Sequence, residues 1–588
     1  MSTTHRKIIA RREATDSLDI PDLHPILARI YAARGVLSPE QTEYSLKTLP
    51  APGLLKDIEP VCARLVKAMS QQESIVIVGD YDVDGATSTA LAMRALDMFG
   101  YDKVDYVVPD RFKYGYGLTP AIVDLASQKS PDIVITVDNG ISSVDGVLRA
   151  RELGMEVIIT DHHLPGEPLP RGTLCINPNQ TGDEFPHKNL AGVGVIFYVM
   201  LALRKALREQ GWFAETGLSE PNLAELLDLV ALGTVADVVP LDHLNRTLVA
   251  QGLKRINAGH CRPGIRALLE VGRRTMGRIV PADMGFAVGP RLNAAGRLDD
   301  MSTGISCLLA EDLQQARELA AMLDDLNTQR REIEQTMRME AVKLADRALQ
   351  STPQDDTLMG LCLYDETWHE GVVGIVAQRM RERSGRPVIA FARAENGLLK
   401  GSARSIPALH VRDLLETIAT RQPGLLVKFG GHAMAAGVTL QAEHLQQFEQ
   451  AWSGTLRQFL SESDLTHRVL SDGELDSEAL NLEFAELLRR SGPWGSHFEE
   501  PVFDGVFRVV QRKIVGQNHL KLVLSPAGHD AAGSERLIDA ICFNVEEQMR
   551  ENCPQWLRLA YRLDVNEYRG RRSAQMVIEH MEPYHADN

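Results

Sequence analysis

Three short apolar runs each end on ionisable residues, and this pattern constrains the fold more than any bulk property of the chain. Ile75 to Val78 leads through Gly79 into Asp80-Tyr81-Asp82-Val83-Asp84-Gly85, Ile133 to Val137 leads into Asp138-Asn139-Gly140, and Val157 to Thr160 leads into Asp161-His162-His163. From Ile75 to Pro178 such runs, with Val104 to Val108, alternate with helix-like segments at Ala86 to Phe99 and Thr119 to Gln128. That is the βαβ rhythm of a parallel sheet. Ligands of such sheets bind outside the carboxyl ends of the strands, so tips that deliver acids and histidines can serve one site.

Asp80, Asp82 and Asp84 stand two apart and share a face if the strand continues through them. Carboxylates held so close repel one another, a cost that a common cation removes. Oxygen and imidazole donors together favour Mn²⁺ or Mg²⁺ over a thiolate zinc site. The following helix is predicted to start at Ala86, its positive end toward a phosphate. The competing reading is a solvated acidic turn with Asp84 as helix cap. Asp161-His162-His163 offers a neutral nitrogen ligand and a second imidazole for proton transfer. Gly233-Thr234-Val235-Ala236-Asp237 adds another acid at an element end, and so many such acids are hard to explain by capping.

At 588 residues, 44% hydrophobic and 24% charged, the chain is globular and too long for a single core, so three or four domains are expected. A formal charge of -16 excludes a protein that coats duplex nucleic acid along its whole surface and leaves room only for a local basic groove. The seven scattered cysteines contain no CxxC pair, which argues for a reducing compartment and against a disulfide framework or zinc knuckle. Met1 to Arg12 has no apolar stretch, and Val193 to Leu203 is too short to span a bilayer. A cytoplasmic protein without membrane contact is expected.

Helix-rich segments at Leu190 to Glu209 and Asn222 to Leu232, then an arginine-rich stretch to Arg297, complete a first domain. Glu311 to Leu349 places Leu319, Met322, Leu323 and Leu326 at helical spacing without Pro or Gly, predicting one long interdomain helix with a break near Asn327. A second α/β unit follows from Thr357. Runs at Val502 to Val510, Leu520 to Leu524, Leu537 to Phe543, Leu557 to Val565 and Ala574 to His580 suit a small barrel of the oligonucleotide-binding (OB) type, with a β-sandwich as the alternative. The expected division is 1–310, 311–352, 353–465 and 466–588.

GDYDVDGATS, TVDNG, DHH and GTVADVVPL, with GGHAMAAG at Gly430 to Gly437, resemble the DHH phosphoesterase superfamily over almost the whole chain. GPRLNAAGR at Gly289 to Arg297 resembles its branch of single-strand-specific 5′ to 3′ DNA exonucleases. The implied fold is α/β: a parallel-sheet DHH domain, a long helix, a smaller α/β DHH-associated domain and a C-terminal OB-type barrel. The implied site holds two Mn²⁺ or Mg²⁺ ions. Asp138 would bridge them, Asp82 with Asp80 would complete one shell, and Asp84, His162 and Asp237 the other. Other DHH branches carry a histidine where this chain has Val78, so Asp80 is expected to fill that ligand place; the alternative is a water there, with Asp80 one layer out.

The resemblance further implies that His163 contacts the scissile phosphate, its alternative being a supporting hydrogen bond. It points to Arg297, Ser402, Arg404 and His432 as contacts for DNA and its 5′ phosphate, arginine being suited by its planar fork. Arg111, Lys113, Tyr114 and Tyr116 interleave charge with aromatic faces, and Tyr114 is expected to stack on the first nucleotides or else to pack at the domain edge. The implied activity is two-metal hydrolysis of single-stranded DNA from the 5′ end to 5′-mononucleotides, in recombination and repair, by a monomer with single-strand-binding protein as partner. The alternatives are a DHH phosphodiesterase acting on short oligonucleotides or cyclic dinucleotides, and a non-catalytic single-strand-binding replication factor.

Overall fold

The computed structural model describes residues 7–13, 20, 23–114, 116–166, 169–351, 358–394, 397–516, 518–527, 536–545, 547–568 and 570–584. The chain forms two compact units, one of residues 13–327 with 483–501, the other of 1–12, 328–482 and 502–588.

The first unit is built on a five-stranded, wholly parallel sheet in the order Val104–Val107, Ile75–Gly79, Ile133–Val137, Glu156–Thr160, Leu174–Ile176. Ile75–Gly79 and Ile133–Val137 are buried at every residue, which is why they read as unbroken apolar runs: a parallel sheet is covered on both faces. The register sets Gly79 opposite Val137 and Val137 opposite Thr160, so Asp80, Asp138 and Asp161 leave the sheet at one level. Helix Ile58–Gln71 buries one face, helices Val83–Met98 and Gly192–Glu209 carry mostly buried residues, and Leu227–Asp237 is buried from Leu227 through Thr234.

The second unit holds a five-stranded mixed sheet in the order Lys428–Gly431, Ala435–Leu440, Leu399–Arg404, Val388–Arg393, Leu361–Tyr364. It also holds a closed barrel of Phe503–Val515, His519–Pro526, Ile538–Cys542, Arg571–Pro583 and Trp556–Tyr568. All five strands coincide with the predicted runs, and closure removes the edges that a sandwich would leave. Within this unit Lys7–Arg11 pairs in parallel with His467–Ser471. Asp504, 2% exposed, anchors the join through Arg11 Nε at 2.9 Å, Ser471 Oγ at 2.6 Å and Arg558 Nη2 at 3.3 Å.

One local expectation is corrected: helix Leu313–Ser351 runs unbroken through Asn327, which is fully buried. The helix also contributes to packing. Ala316, Ala320 and Leu323 are buried in its first half, while Met337, Ala341 and Ala345 join Leu361, Leu363 and Val376 in a core of the second unit. Among the described residues no helix is long and apolar enough to cross a membrane.

Candidate active site

The strand Ile75–Gly79 stops at its glycine, so the acids of the first motif meet by turning rather than by sharing a strand face. The next helix begins at Val83, three residues earlier than predicted. Its N-cap is Asp82, whose Oδ1 accepts from Gly85 N at 3.1 Å; Asp84 sits in the first turn and does not cap this helix. Asp84 is instead fully buried against the start of a different helix, where Gly192 N and Val193 N donate to its two oxygens at 2.6 and 2.9 Å. A helix N-terminus is a natural seat for a carboxylate. Asp138, at φ 64°, takes the left-handed conformation that a short polar side chain tolerates best outside glycine.

His162 Nε2 lies 3.1 Å from Asp138 Oδ1, 3.5 Å from Asp237 Oδ2 and 4.0 Å from Asp84 Oδ2. Ligand-type atoms of Asp80, Asp82 and Asp138 come within 4.8 Å of one another, and so do those of Asp84, His162 and Asp237 and those of Asp138, His162 and His163. Val78 points into the strand core at 1% exposure and offers no ligand. Asp161 is held apart from these groups: its Oδ2 accepts from Ile141 N, and its Oδ1 from His162 N, His163 N and His163 Nδ1, the last at 2.8 Å. Asp161 therefore orients His163.

Burial, then the charges of their neighbours, hold Asp84 and Asp138 well above the usual carboxylate range. Burial and then Asp82 push Asp237 up to about 7. Asp138 Oδ1 is buried and accepts no hydrogen bond among the described residues. A cluster that is costly as bare anions, with orphaned lone pairs and only oxygen and imidazole donors, fits hard divalent cations. Burial opposes charge on His163, yet the Asp161 hydrogen bond and charge, with Asp237 and Asp80, outweigh it and raise the ring to about 9.

Tyr114 is half-buried and packs on the core formed by Val76, Val78 and Val107. Tyr116 is the ring that reaches the histidines, its hydroxyl 3.2 Å from His163 and its ring edge-on at 5.7 Å. Arg297 is half-buried in helix Gly289–Leu298, where Gly296 packs so closely that a Cβ there would stand 2.1 Å from Tyr81 O. That contact ties the GPRLNAAGR segment to the first acidic motif. Several nearby arginines are committed to acids: Arg262 to Asp228, Arg266 to Glu270, Arg274 to Asp283 and Arg291 to Asp324.

In the second unit, Ser402 and Arg404 lie on strand Leu399–Arg404, with Arg404 Nη1 donating to Ser402 Oγ at 2.8 Å. The neighbouring strand Ala435–Leu440 sets Ala435 opposite Arg404 and Gly437 opposite Ser402, and His432 is exposed in the turn before it. Gly374 lets the start of helix Val373–Ser384 come close: a Cβ there would be 2.9 Å from Arg404 Nη2 and 3.1 Å from Ser402 Oγ.

Family models match along the chain: the DHH family N-terminal domain at residues 74–234, the DHHA1 domain at 357–458 and the RecJ OB domain at 471–580. The chain is 53% identical over 575 residues to the single-stranded-DNA-specific exonuclease RecJ of Dickeya dadantii, covering 97% of this chain and 99% of that one. This chain belongs to the RecJ family. The Escherichia coli RecJ is 51% identical, covering 98% of this chain and 99% of its own. RecJ of Thermus thermophilus, solved in complex with Mn²⁺, superposes with a TM-score of 0.77 at 28% identity, covering 96% of this chain and 77% of that one. Its Mg²⁺ complex gives 0.72 at 27% identity, covering 96% and 76%.

The RecJ-family site owes several parts to residues that the motifs did not single out. Asp161, inside the DHH motif but read there only as part of it, anchors His163 two residues on, whereas Tyr116 over that ring and the Gly192–Val193 amides on Asp84 depend on partners far away in the chain. Gly192 and Gly194, near the start of the predicted helix Leu190 to Glu209, are a signal from which the last of these could have been found.

Proposed function

We propose that the chain is a two-metal exonuclease that hydrolyses single-stranded DNA from its 5′ end to 5′-mononucleotides. The observation that carries this is the pair of ligand groups, Asp80–Asp82–Asp138 and Asp84–His162–Asp237, joined by the 3.1 Å approach of His162 to Asp138. When bound, two divalent ions activate a water and neutralise the charge that builds on the phosphate during in-line displacement. Asp138, a member of the first group and 3.1 Å from His162 of the second, would be the ligand that the two share. His163, held through Nδ1 by Asp161, contacts the scissile phosphate. Arg297, Ser402, Arg404 and His432 are contacts for DNA phosphates, the 5′-terminal one among them, and Tyr114 is a contact for the first bases. Single-strand-binding protein is the proposed partner of a monomeric, cytoplasmic enzyme.

Two features weigh against the other readings. Every acidic motif position is filled, unlike a non-catalytic relative, and the RecJ OB domain at residues 471–580 is more than a short-substrate phosphodiesterase needs. The test is digestion of 5′-labelled and 3′-labelled single strands and of duplex with Mn²⁺ or Mg²⁺. Early release of 5′-mononucleotide from single strand alone, lost in Asp138→Asn, is expected. Binding without cleavage, or cleavage of short or cyclic substrates only, overturns the proposal.

Asp80 carries its own prediction. If it takes the place left by Val78, Asp80→Ala weakens Mn²⁺ binding by at least ~10–100-fold, the cost of losing even a group that only orients a ligand. Titration of the Mn²⁺-dependent melting shift measures this, and an affinity equal to wild type makes Asp80 a bystander.

A further inference from the structure

The turn that carries both histidines lies beyond the end of strand Glu156–Thr160, where backbone groups have no ladder partner and must be satisfied some other way. Asp161 takes the N–H groups of His162 and His163 on its Oδ1, at 2.7 and 3.1 Å. The carbonyls are taken from the other side. Strand Leu174–Ile176 runs parallel alongside, with Thr160 opposite Ile176 and Asp161 N donating to Ile176 O at 3.0 Å, so the residues that follow it emerge next to the turn. Asn177 Nδ2 donates to His163 O at 2.9 Å, and Asn179 Nδ2 to His162 O at 2.6 Å and to Lys188 O at 3.2 Å.

We infer that Asn177 and Asn179 are positioning residues for this site, each holding one histidine by its backbone carbonyl, Asn179 for His162 and Asn177 for His163. The inference rests on the two-metal reading of the site. The carboxamide orientation is fixed internally: Asn177 Oδ1 accepts from Asn179 N at 2.7 Å, so its nitrogen faces His163 O. Asn177 is fully buried, which removes any competing water. With Asp161 on one side and the two asparagines on the other, both N–H and both C=O groups of the histidine pair are committed, and a segment without regular structure becomes rigid. Asparagine suits the task because it is neutral, short, and able to donate and accept at once.

The division of labour makes the inference testable. His162 belongs to the ligand group of Asp84 and Asp237, whereas His163, which stands with Asp138 and His162, is the residue assigned to the scissile phosphate. Asn179→Asp keeps the size of the side chain but sets an acceptor against the His162 carbonyl. Its expected effect is a ~10–100-fold rise in the Mn²⁺ concentration needed both for half-maximal activity and for the Mn²⁺-induced melting shift, with activity restored by excess Mn²⁺. Asn177→Asp, which preserves the acceptor for Asn179 N, is expected to lower kcat ~10–100-fold at saturating Mn²⁺ while leaving the Mn²⁺ melting curve and the KM for single-stranded DNA in place.

A role in folding alone gives a different result: both variants lose melting temperature and activity together, with unchanged Mn²⁺ dependence, and that overturns the inference. If Asn177→Asp does not fold, Asn179→Asp, at a half-exposed residue, decides the matter through its Mn²⁺ melting curve. A wild-type protein whose melting temperature ignores Mn²⁺ overturns the two-metal reading itself, and a wild-type shift that both variants retain in full overturns only the positioning roles.

Discussion

Replacing Asp138 by asparagine abolishes cleavage and at the same time raises the melting temperature of the metal-free protein. Asp84, Asp138 and Asp237 all have carboxyl groups raised above their ordinary value of 3.8, Asp237 to about 7. A raised carboxyl binds its proton more tightly in the folded state than in the unfolded one. Its contribution to stability is therefore complete below the ordinary value and is lost as pH rises through the folded one, a window of about pH 4 to 7 for Asp237. At neutral pH the metal-free cluster works against the fold, because each buried carboxyl either carries a charge beside its neighbours or must take up a proton on folding, and asparagine removes that cost at one position. The expected gain is about 1–2 kcal/mol, or a few °C.

Saturating Mn²⁺ reverses the order. Wild type gains about 2.7 kcal/mol at a hundredfold excess over Kd, the linkage value for one site, and the variant, lacking the shared ligand, gains much less. Activity falls by at least ~10²–10³-fold, as when a single preorganised electrostatic group is lost. Melting curves with and without Mn²⁺, from pH 5 to 8, measure all of this. A variant that is less stable than wild type without metal contradicts the account of Asp138 as a carboxyl buried at a cost.

Gly192→Ala is expected to damage the same site without touching an ionisable residue. A Cβ on Gly192 would stand 2.7 Å from both Cβ and Oδ1 of Asp138 and 2.9 Å from its Cγ. The overlap must be relieved by moving Asp138 or by backing off the helix start whose Gly192 N donates to Asp84 at 2.6 Å. Either motion disturbs a ligand group, because Asp138 belongs to one and Asp84 to the other. A displacement near 1 Å costs ~10²-fold in rate. Overpacking at a buried position costs about 1–3 kcal/mol of stability. Initial rates on labelled single strands, with the Mn²⁺ melting shift alongside, decide it: wild-type values in both show that the helix start relaxes freely.

Local chemistry was legible in the chain. Unbroken apolar runs marked the central parallel strands because burial on both faces leaves no polar alternation, and the barrel strands showed themselves as short runs between turns. The acids and histidines at the strand ends marked where a cation belongs, since such a concentration of charge is expensive without one. What could not be read there were partners distant in sequence. The competing reading made Asp84 the helix cap, but Asp82 caps the helix and Asp84 is claimed by the amides of Gly192 and Val193, more than a hundred residues on. Tyr114 and Tyr116 are equivalent as sequence, and only the fold packs Tyr114 against the apolar core that includes Val76 and Val78 and leaves Tyr116 over His163.

Domain membership shows the same limit. Lys7–Arg11 pairs with His467–Ser471, and residues 483–501 join the unit that contains the parallel sheet, neither of which leaves a local signature. Periodicity and motif spacing record what a segment needs, such as an apolar face, a cap or a cation. Which segment meets that need is settled when the whole chain competes to bury its apolar surface and satisfy its backbone, so the partners of Asp84, His162 and His163 exist only in the folded molecule.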